Sequence, residues 1–203
     1  MSDAQFFGYG SLVNHATHGY DNARPALLEG WRRRWVSTSL RPVAYLSVEP
    51  WEGEIAGLVA EVPGGDWTAL DAREAAYDKH PVTVRLHACG SDAAARVYAV
   101  TPDHAAPPDT AHPVLLSYID TVVQGFLEVF GEAGARAFFE TTAGWGGPIL
   151  DDRAAPRYPR ATALTPAERA VVDAGLARAL EDGPRAVGTF AAASPVSSGA
   201  APG

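Results

Sequence analysis

Phe6-Phe7-Gly8-Tyr9-Gly10-Ser11-Leu12 carries an apolar strand straight into a turn built around two glycines. Glycine on both sides of Tyr9 opens backbone angles closed to other residues and leaves little side-chain cover over the main chain. A ligand can therefore reach the backbone itself, and the N–H groups of such a turn suit a carboxylate or an oxyanion. The same stretch limits the architecture. Gly8-Tyr9-Gly10 begins like a dinucleotide fingerprint, but Val13 stands where the third glycine belongs and no helix signal follows. A Rossmann unit is not expected.

The rest of the first half reads as strands. Beyond a polar loop with Asn14, His15, His18 and Asp21, a strand is expected over Ala26 to Ser37, interrupted at Gly30. Apolar runs follow at Val43 to Val48, ended by Pro50, and at Glu54 to Val62, stopped by Pro63-Gly64-Gly65. Val82 to Leu86 and Arg96 to Val100 read as a closing pair of strands, and Asp103 to Ala111 as a loop.

The second half is helical. Leu115, Ile119, Val122, Val123, Phe126, Leu127 and Phe130 fall at helical spacing, which predicts a helix over Pro113 to Phe130 with Gly131 as its stop. A shorter helix is expected over Ala133 to Thr142. Thr165-Pro166-Ala167-Glu168 combines a capping box with proline at the first helical position, and that helix is expected to end near Gly183-Pro184. Strands followed by helices predict an α+β chain. At 203 residues one domain is expected over 1–190, strand-rich over 5–100 and helical over 113–183. The alanine, serine, proline and glycine of 191–203 predict a disordered tail.

Net charge of -8 argues against a nucleic-acid or anionic-membrane partner. Trp31-Arg32-Arg33-Arg34-Trp35 is the basic cluster with aromatics, but strand alternation sends Trp31, Arg33 and Trp35 one way and Arg32 and Arg34 the other. A strand with a charged outer face is the better reading than a stacking platform. One cysteine, Cys89, excludes an internal disulfide and reads as structural. The first residues lack the basic and apolar segments of a signal peptide, so a cytoplasmic protein is expected.

Asp66 is the expected N-cap of a helix running to about Tyr77. On it, Trp67, Leu70, Glu74 and Tyr77 share one face. Glu74 thus places a carboxylate on the stripe that should meet the core, where a charge is costly unless paired. A buried carboxyl group holds its proton more tightly, which suits a proton shuttle near neutrality. Alternatively, Glu74 lies at the edge of the stripe and pairs with an arginine.

Phe7-Gly8-Tyr9-Gly10-Ser11-Leu12, Gly30-Trp31-Arg32-Arg33-Arg34-Trp35, Gly57-Leu58-Val59-Ala60-Glu61-Val62-Pro63, and Leu70-Asp71-Ala72-Arg73-Glu74 with Tyr77 occur in a telling order. Together they resemble the gamma-glutamylcyclotransferases of the AIG2-like superfamily, closest to the ChaC-like, glutathione-acting branch. The resemblance covers roughly residues 5 to 100. It implies a small mixed β-barrel with flanking helices, no cofactor and no metal. It also seats a small-molecule gamma-glutamyl substrate on Tyr9, Gly10, Ser11 and Leu12 and makes Glu74 the catalytic acid/base.

The implied reaction is intramolecular. The substrate's α-amine attacks its own γ-carbonyl, closing a five-membered ring, so holding the substrate folded supplies much of the rate. Glu74 takes the ammonium proton and returns it to the departing amine, while amides of the turn hold the α-carboxylate or the oxyanion. The products are 5-oxoproline and a free amine or peptide. A leaving-group carboxylate is expected to meet Arg153 and Arg157 in the 151–159 segment. Ser11 has no elbow or base to make it a nucleophile, and His15 and His18 have no third ligand nearby in sequence. The alternative function is a non-catalytic relative that binds an amino-acid-like ligand, which has no need of a carboxylate on an apolar face.

Overall fold

The computed structural model describes residues 4–182. The expected stop at Gly183-Pro184 and the 191–203 tail lie outside them. Five strands make a closed barrel: β1 (Gln5–Gly8), β2 (Arg24–Val36), β3 (Tyr45–Glu61), β4 (Asp78–Leu86) and β5 (Asp92–Ala99). β1 pairs antiparallel with β3 and parallel with β5, β4 joins β5 to β2, and the long β2–β3 hairpin closes the ring. Each strand therefore has two neighbours, which satisfies its ladder without an edge.

Two apolar runs expected as separate elements, Val43 to Val48 and Glu54 to Val62, belong to the single 17-residue β3. Pro50 does not end it, because β2 breaks register between Glu29 and Trp31 and Pro50 stands opposite Trp31 beside that break. A missing N–H is tolerated where the ladder is already irregular. The interruption expected at Gly30 is this bulge. Inward and outward positions of β2 are as alternation predicts: Arg33 and Trp35 are buried, while Arg32 and Arg34 pair with Glu49 at 2.5 and 3.2 Å. Cys89 is exposed in the turn between β4 and β5 rather than packed inside.

The helix carrying the carboxylate is shorter than its pattern suggests. α1 spans Thr68–Arg73, with Asp66 accepting the Thr68 N–H at 3.0 Å, and Glu74 follows with φ -98° and ψ 26°. The chain then enters β4 at Asp78, earlier than expected, so Tyr77 lies at the junction. α2 (Leu116–Glu140) is broken at Gly131, whose φ of 66° and ψ of -167° fall in a region that glycine alone adopts readily. Of three two-residue strands flanking α2, β6 (Val114–Leu115) pairs with β8 (Ile149–Leu150) in a small sheet of their own, while β7 (Thr142–Ala143) runs parallel to Arg33-Arg34 and joins the barrel sheet. α3 (Pro166–Asp182) starts on the expected capping box, with Thr165 N–H donating to Glu168 Oε2 at 2.6 Å and Glu168 N–H to Thr165 Oγ1 at 3.3 Å.

One apolar cluster joins Phe7, Leu28, Leu46 and Val97 of the barrel to Phe126 and Phe138 of α2 and Val172 of α3. A smaller one packs Leu70 of α1 and Tyr77 against Phe6, Tyr45, Ala60 and Tyr98. Among the described residues, no helix is long and apolar enough to cross a membrane.

The 151–159 segment is clamped to the start of α2. Buried Asp152 accepts the Ser117 N–H at 2.8 Å, the Ser117 hydroxyl at 2.6 Å and the Arg157 N–H at 2.8 Å. Asp152→Ala strips three donors of one acceptor, and a loss of about 2 kcal/mol is expected. Chemical denaturation measures it; a loss within error would mean that water replaces the carboxylate.

Candidate active site

Glu74 is brought to a fully buried position by the end of α1. Its main chain stays helical in its bonding, with N–H donating to the Leu70 carbonyl at 2.9 Å and its own carbonyl accepting from Tyr77. The side chain is 0% exposed, and Arg73 Nε lies 3.2 Å from its Oε1. The carboxylate is in the core, not at the edge of the apolar stripe, and an arginine attends it. That pairing answers the desolvation cost of a buried charge.

Arg73 also reaches the glycine turn. Its guanidinium donates to Ser11 Oγ at 3.2 Å and to the Thr17 carbonyl at 3.1 Å. The turn and the carboxylate, 60-odd residues apart in the chain, are both touched by this side chain. Ser11–Val13 forms a single 3-10 turn, closed by Val13 N–H to the Gly10 carbonyl at 2.9 Å. The loop beyond is anchored by buried Asn14, whose amide donates to the Thr121 carbonyl at 2.8 Å and Gln124 Oε1 at 3.1 Å on α2.

Tyrosines line the space around Glu74. Burial raises the pKa of Tyr9, Tyr20, Tyr77, Tyr98, Tyr118 and Tyr158, and the Glu74 charge pushes each further up. They stay protonated near neutrality, so they serve as hydrogen-bond donors and not as bases. The hydroxyls of Tyr118 and Tyr158 are buried beside the amide and the hydroxyl of Ser11 without completing a hydrogen bond of good geometry. Their rings pack edge to face at 4.9 Å.

Of the residues singled out in the sequence, Glu74, Ser11 and the turn converge. Tyr9 is present differently from its neighbours. Its ring is buried and its hydroxyl donates across the barrel to the Tyr98 carbonyl at 2.6 Å, so its side chain is a strut beneath the turn. Leu12 is likewise buried, in the cluster around Leu70 and Tyr77. Arg153 does not meet the role expected of it: Asp120 holds it through two bonds of 2.6 and 2.7 Å, and Asp173 through a third of 2.7 Å. A guanidinium so occupied has no fork left for a ligand carboxylate.

Tyr118, Tyr158 and the bridging role of Arg73 were not predicted. Tyr118 offered a signal, since it falls on the apolar stripe of α2 while carrying a hydroxyl. Tyr158 offered none, because only the Asp152 clamp brings its segment over the turn.

Two concavities lie elsewhere. One of about 910 Å³ runs between Arg136 and Phe139 of α2, Trp145 and the Val171 to Arg178 face of α3. Another of about 430 Å³ lies between Trp31, His80, Val100 and Pro107. Neither is lined by Glu74, Ser11 or Arg73. Volume and burial diverge here: neither concavity is lined by a carboxylate as deeply buried as Glu74.

His15 and His18 stand 5.7 Å apart, ring to ring, but His18 is engaged in the loop. The Tyr20 N–H donates to its Nδ1 at 3.2 Å, which leaves Nε2 to donate to the Leu12 carbonyl at 3.0 Å. That wiring needs a neutral ring. Burial pushes its pKa down to about 4, against the pull of the Leu12 carbonyl, with Arg73 and His15 adding to the fall. Its contribution to stability is therefore fully present above the ordinary value of 6.5 and is lost as pH falls towards 4. The urea midpoint is expected to drop between neutral pH and about pH 4.5, and to drop less in His18→Gln. Equal drops in both proteins would assign the acid sensitivity to other groups.

A closed five-stranded mixed barrel with helices gathered in the C-terminal half is the fold of the gamma-glutamyl-cyclotransferase-like class of α+β proteins. Residues 6–116 match the family described as Gamma-glutamyl cyclotransferase, AIG2-like. The chain belongs to that family. Among solved structures it is similar to YkqA from Bacillus subtilis, at 18% identity and a TM-score of 0.54, over 71% of this chain and 57% of that one. The chain thus spans a little over half the length of that relative. A gamma-glutamyl cyclotransferase specific to glutathione from yeast aligns at 16% identity and a TM-score of 0.45, over 88% of this chain and 97% of that one. An AIG2-like protein from Mus musculus aligns at 17% identity and a TM-score of 0.37, over 51% and 83%. No curated protein matches the chain significantly.

Proposed function

We propose that this protein is a gamma-glutamylcyclotransferase. It converts a gamma-glutamyl peptide or amine, with glutathione the first to test, into 5-oxoproline and the free amine or peptide. The observation that carries this reading is the wholly buried Glu74 carboxylate tied through Arg73 to Ser11 of the glycine turn. A site that only binds has no use for a buried base beside its ligand loop.

In the proposed mechanism, the amides of the Gly10-Ser11-Leu12 turn hold an anionic group of the substrate. The neutral hydroxyls of Tyr118 and Tyr158 add donors where charge develops on the γ-carbonyl oxygen. Glu74 accepts a proton from the α-ammonium, freeing the nitrogen lone pair to attack the γ-carbon. It then delivers that proton to the leaving nitrogen as the C–N bond breaks, and the regenerated carboxylate passes the second proton, shed by the ring nitrogen as it becomes an amide, to the released amine, which departs as an ammonium. Arg73, 3.2 Å from the carboxylate, holds it beside the turn between cycles. The nucleophile belongs to the substrate, so the reaction calls for no cofactor and no metal. Arg157 is the proposed contact for a leaving-group carboxylate, and the cytoplasm the proposed setting; neither nucleic acid nor membrane enters the reaction.

The test is direct. Purified protein is incubated with glutathione and with a panel of gamma-glutamyl amines and peptides, and 5-oxoproline is measured by mass spectrometry. Release that is abolished in Glu74→Gln supports the reading. Absence of 5-oxoproline from every substrate, in a protein that still binds them, would leave the binding-only alternative.

A further inference from the structure

Arg33 is the buried charge that the mechanism above does not use. It is 1% exposed, in the layer between β2 and α2, with its guanidinium 4.8 Å from the Phe126 ring centre and 5.5 Å from that of Phe138. Among the described residues no carboxylate pairs with it. Its three hydrogen bonds go to neutral oxygens: Nε to the Tyr9 carbonyl at 2.8 Å, Nη1 to Thr141 Oγ1 at 2.9 Å, and Nη2 to the Ala56 carbonyl. A charge taken out of water with no counter-ion is costly, and aliphatic side chains fill such a space at lower cost. The position therefore calls for a reason beyond packing.

The geometry supplies one. The peptide joining Tyr9 to Gly10 is trans and planar, so its carbonyl and its N–H point in opposite directions. Arg33 takes the carbonyl on its own side, which turns the Gly10 N–H to the other. Gly10 is buried, and among the described residues its N–H donates to no acceptor. A buried N–H in this state is rare and is met by a ligand where one binds.

We propose that Arg33 is a positioning residue of the anion site, pinning the Tyr9–Gly10 peptide so that the Gly10 N–H faces the substrate's anionic group. The inference rests on the cyclotransferase reading for what that group is: the α-carboxylate of a gamma-glutamyl compound or the oxyanion formed at its γ-carbon. The guanidinium acts in a second way. Accepting a charge-assisted bond polarises the peptide and makes its N–H a stronger donor, and the unbalanced positive charge one peptide away favours an anion at the turn. Desolvation pulls the Arg33 pKa down to about 9, still above neutrality, so the group is cationic where the reaction is proposed to run.

Three measurements on the full chain test this. In ¹⁵N-labelled wild-type protein titrated with 5-oxoproline, the Gly10 amide proton is expected to move downfield more than amides remote from the turn. A Gly10 resonance unmoved at high 5-oxoproline overturns the proposal, whatever the variants do. Arg33→Lys, which keeps charge and bulk but not the Nε bond, is expected to weaken 5-oxoproline binding about tenfold and lower kcat by a similar factor. Arg33→Met, which removes the charge too, is expected to lower kcat about 100-fold. Thr141→Val, which removes a different Arg33 bond, should leave both within about twofold, a separation that a merely structural role would not produce. A folded Arg33→Lys with wild-type binding and kcat overturns the proposal. Wild-type protein that makes no 5-oxoproline overturns the cyclotransferase reading instead, and leaves the titration to decide whether the turn is an anion site.

Discussion

Glu74→Gln is expected to lower 5-oxoproline formation by roughly 100-fold or more, acting on kcat with little change in KM. The amide keeps the shape of the carboxylate but cannot take a proton from the substrate ammonium. Folding is expected to survive, because a neutral side chain in a buried position costs less desolvation than a charge. The partner suffers more: Arg73 loses its counter-charge but keeps Ser11 Oγ and the Thr17 carbonyl as acceptors. Turnover kinetics together with a thermal melt separate the two effects. Near-normal kcat in a folded Glu74→Gln protein would falsify the assignment of this residue as the proton carrier, and would move attention to a substrate-assisted path.

The largest expected effect on stability comes from a residue that touches no ligand. Gly57 of β3 packs under the end of β1, and a Cβ added there would overlap the Gly8 carbonyl and lie 2.6 Å from Phe7 Cζ. The carbonyl is main chain held by the barrel ladder, so it cannot swing aside as a long side chain would. Gly57→Ala is therefore expected to destabilise the protein by about 3 kcal/mol, the upper range for forcing atoms into a packed core. It is also expected to weaken substrate binding beyond that loss, since Gly8 leads directly into the turn. Denaturant titration and KM at a temperature where the variant is folded measure the two parts. A variant as stable as the wild type would mean that β1 shifts freely against β3, and the rigidity argued for the turn would fall with it.

How much of this was legible in the sequence varies by scale. Strand and helix identities followed from periodicity, because those patterns report which face meets apolar neighbours. The boundaries did not. Pro50 ends a strand by local chemistry, yet β3 continues through it since the bulge at Gly30 on the facing strand had already loosened the ladder. The Asp66 helix reads as three turns, yet it stops at Arg73 because Tyr77 must leave α1 to pack against Tyr45 and reach the Leu46 carbonyl at 3.0 Å. Propensity speaks for a segment alone, and tertiary contacts outvote it at the ends.

The same division runs through the site. Glu74 could be picked out from the chain alone, because a carboxylate at a core-facing position breaks the apolar pattern, and the glycines around Tyr9 mark a turn open to a ligand. These are one-dimensional signals, residues at odds with their neighbours in sequence. What the tertiary structure decided is which distant groups share that space. Arg73 bridges the two motifs, Tyr118 and Tyr158 arrive from a helix and a clamped loop beyond residue 116, and Arg153, promising as a ligand contact in the sequence, is bound to Asp120 and Asp173. Arg33 shows the point most plainly. Alternation along β2 predicts that it turns inward, but only closure of the barrel puts its Nε against the Tyr9 carbonyl, since a strand's pattern states which way a side chain points and nothing about what waits there.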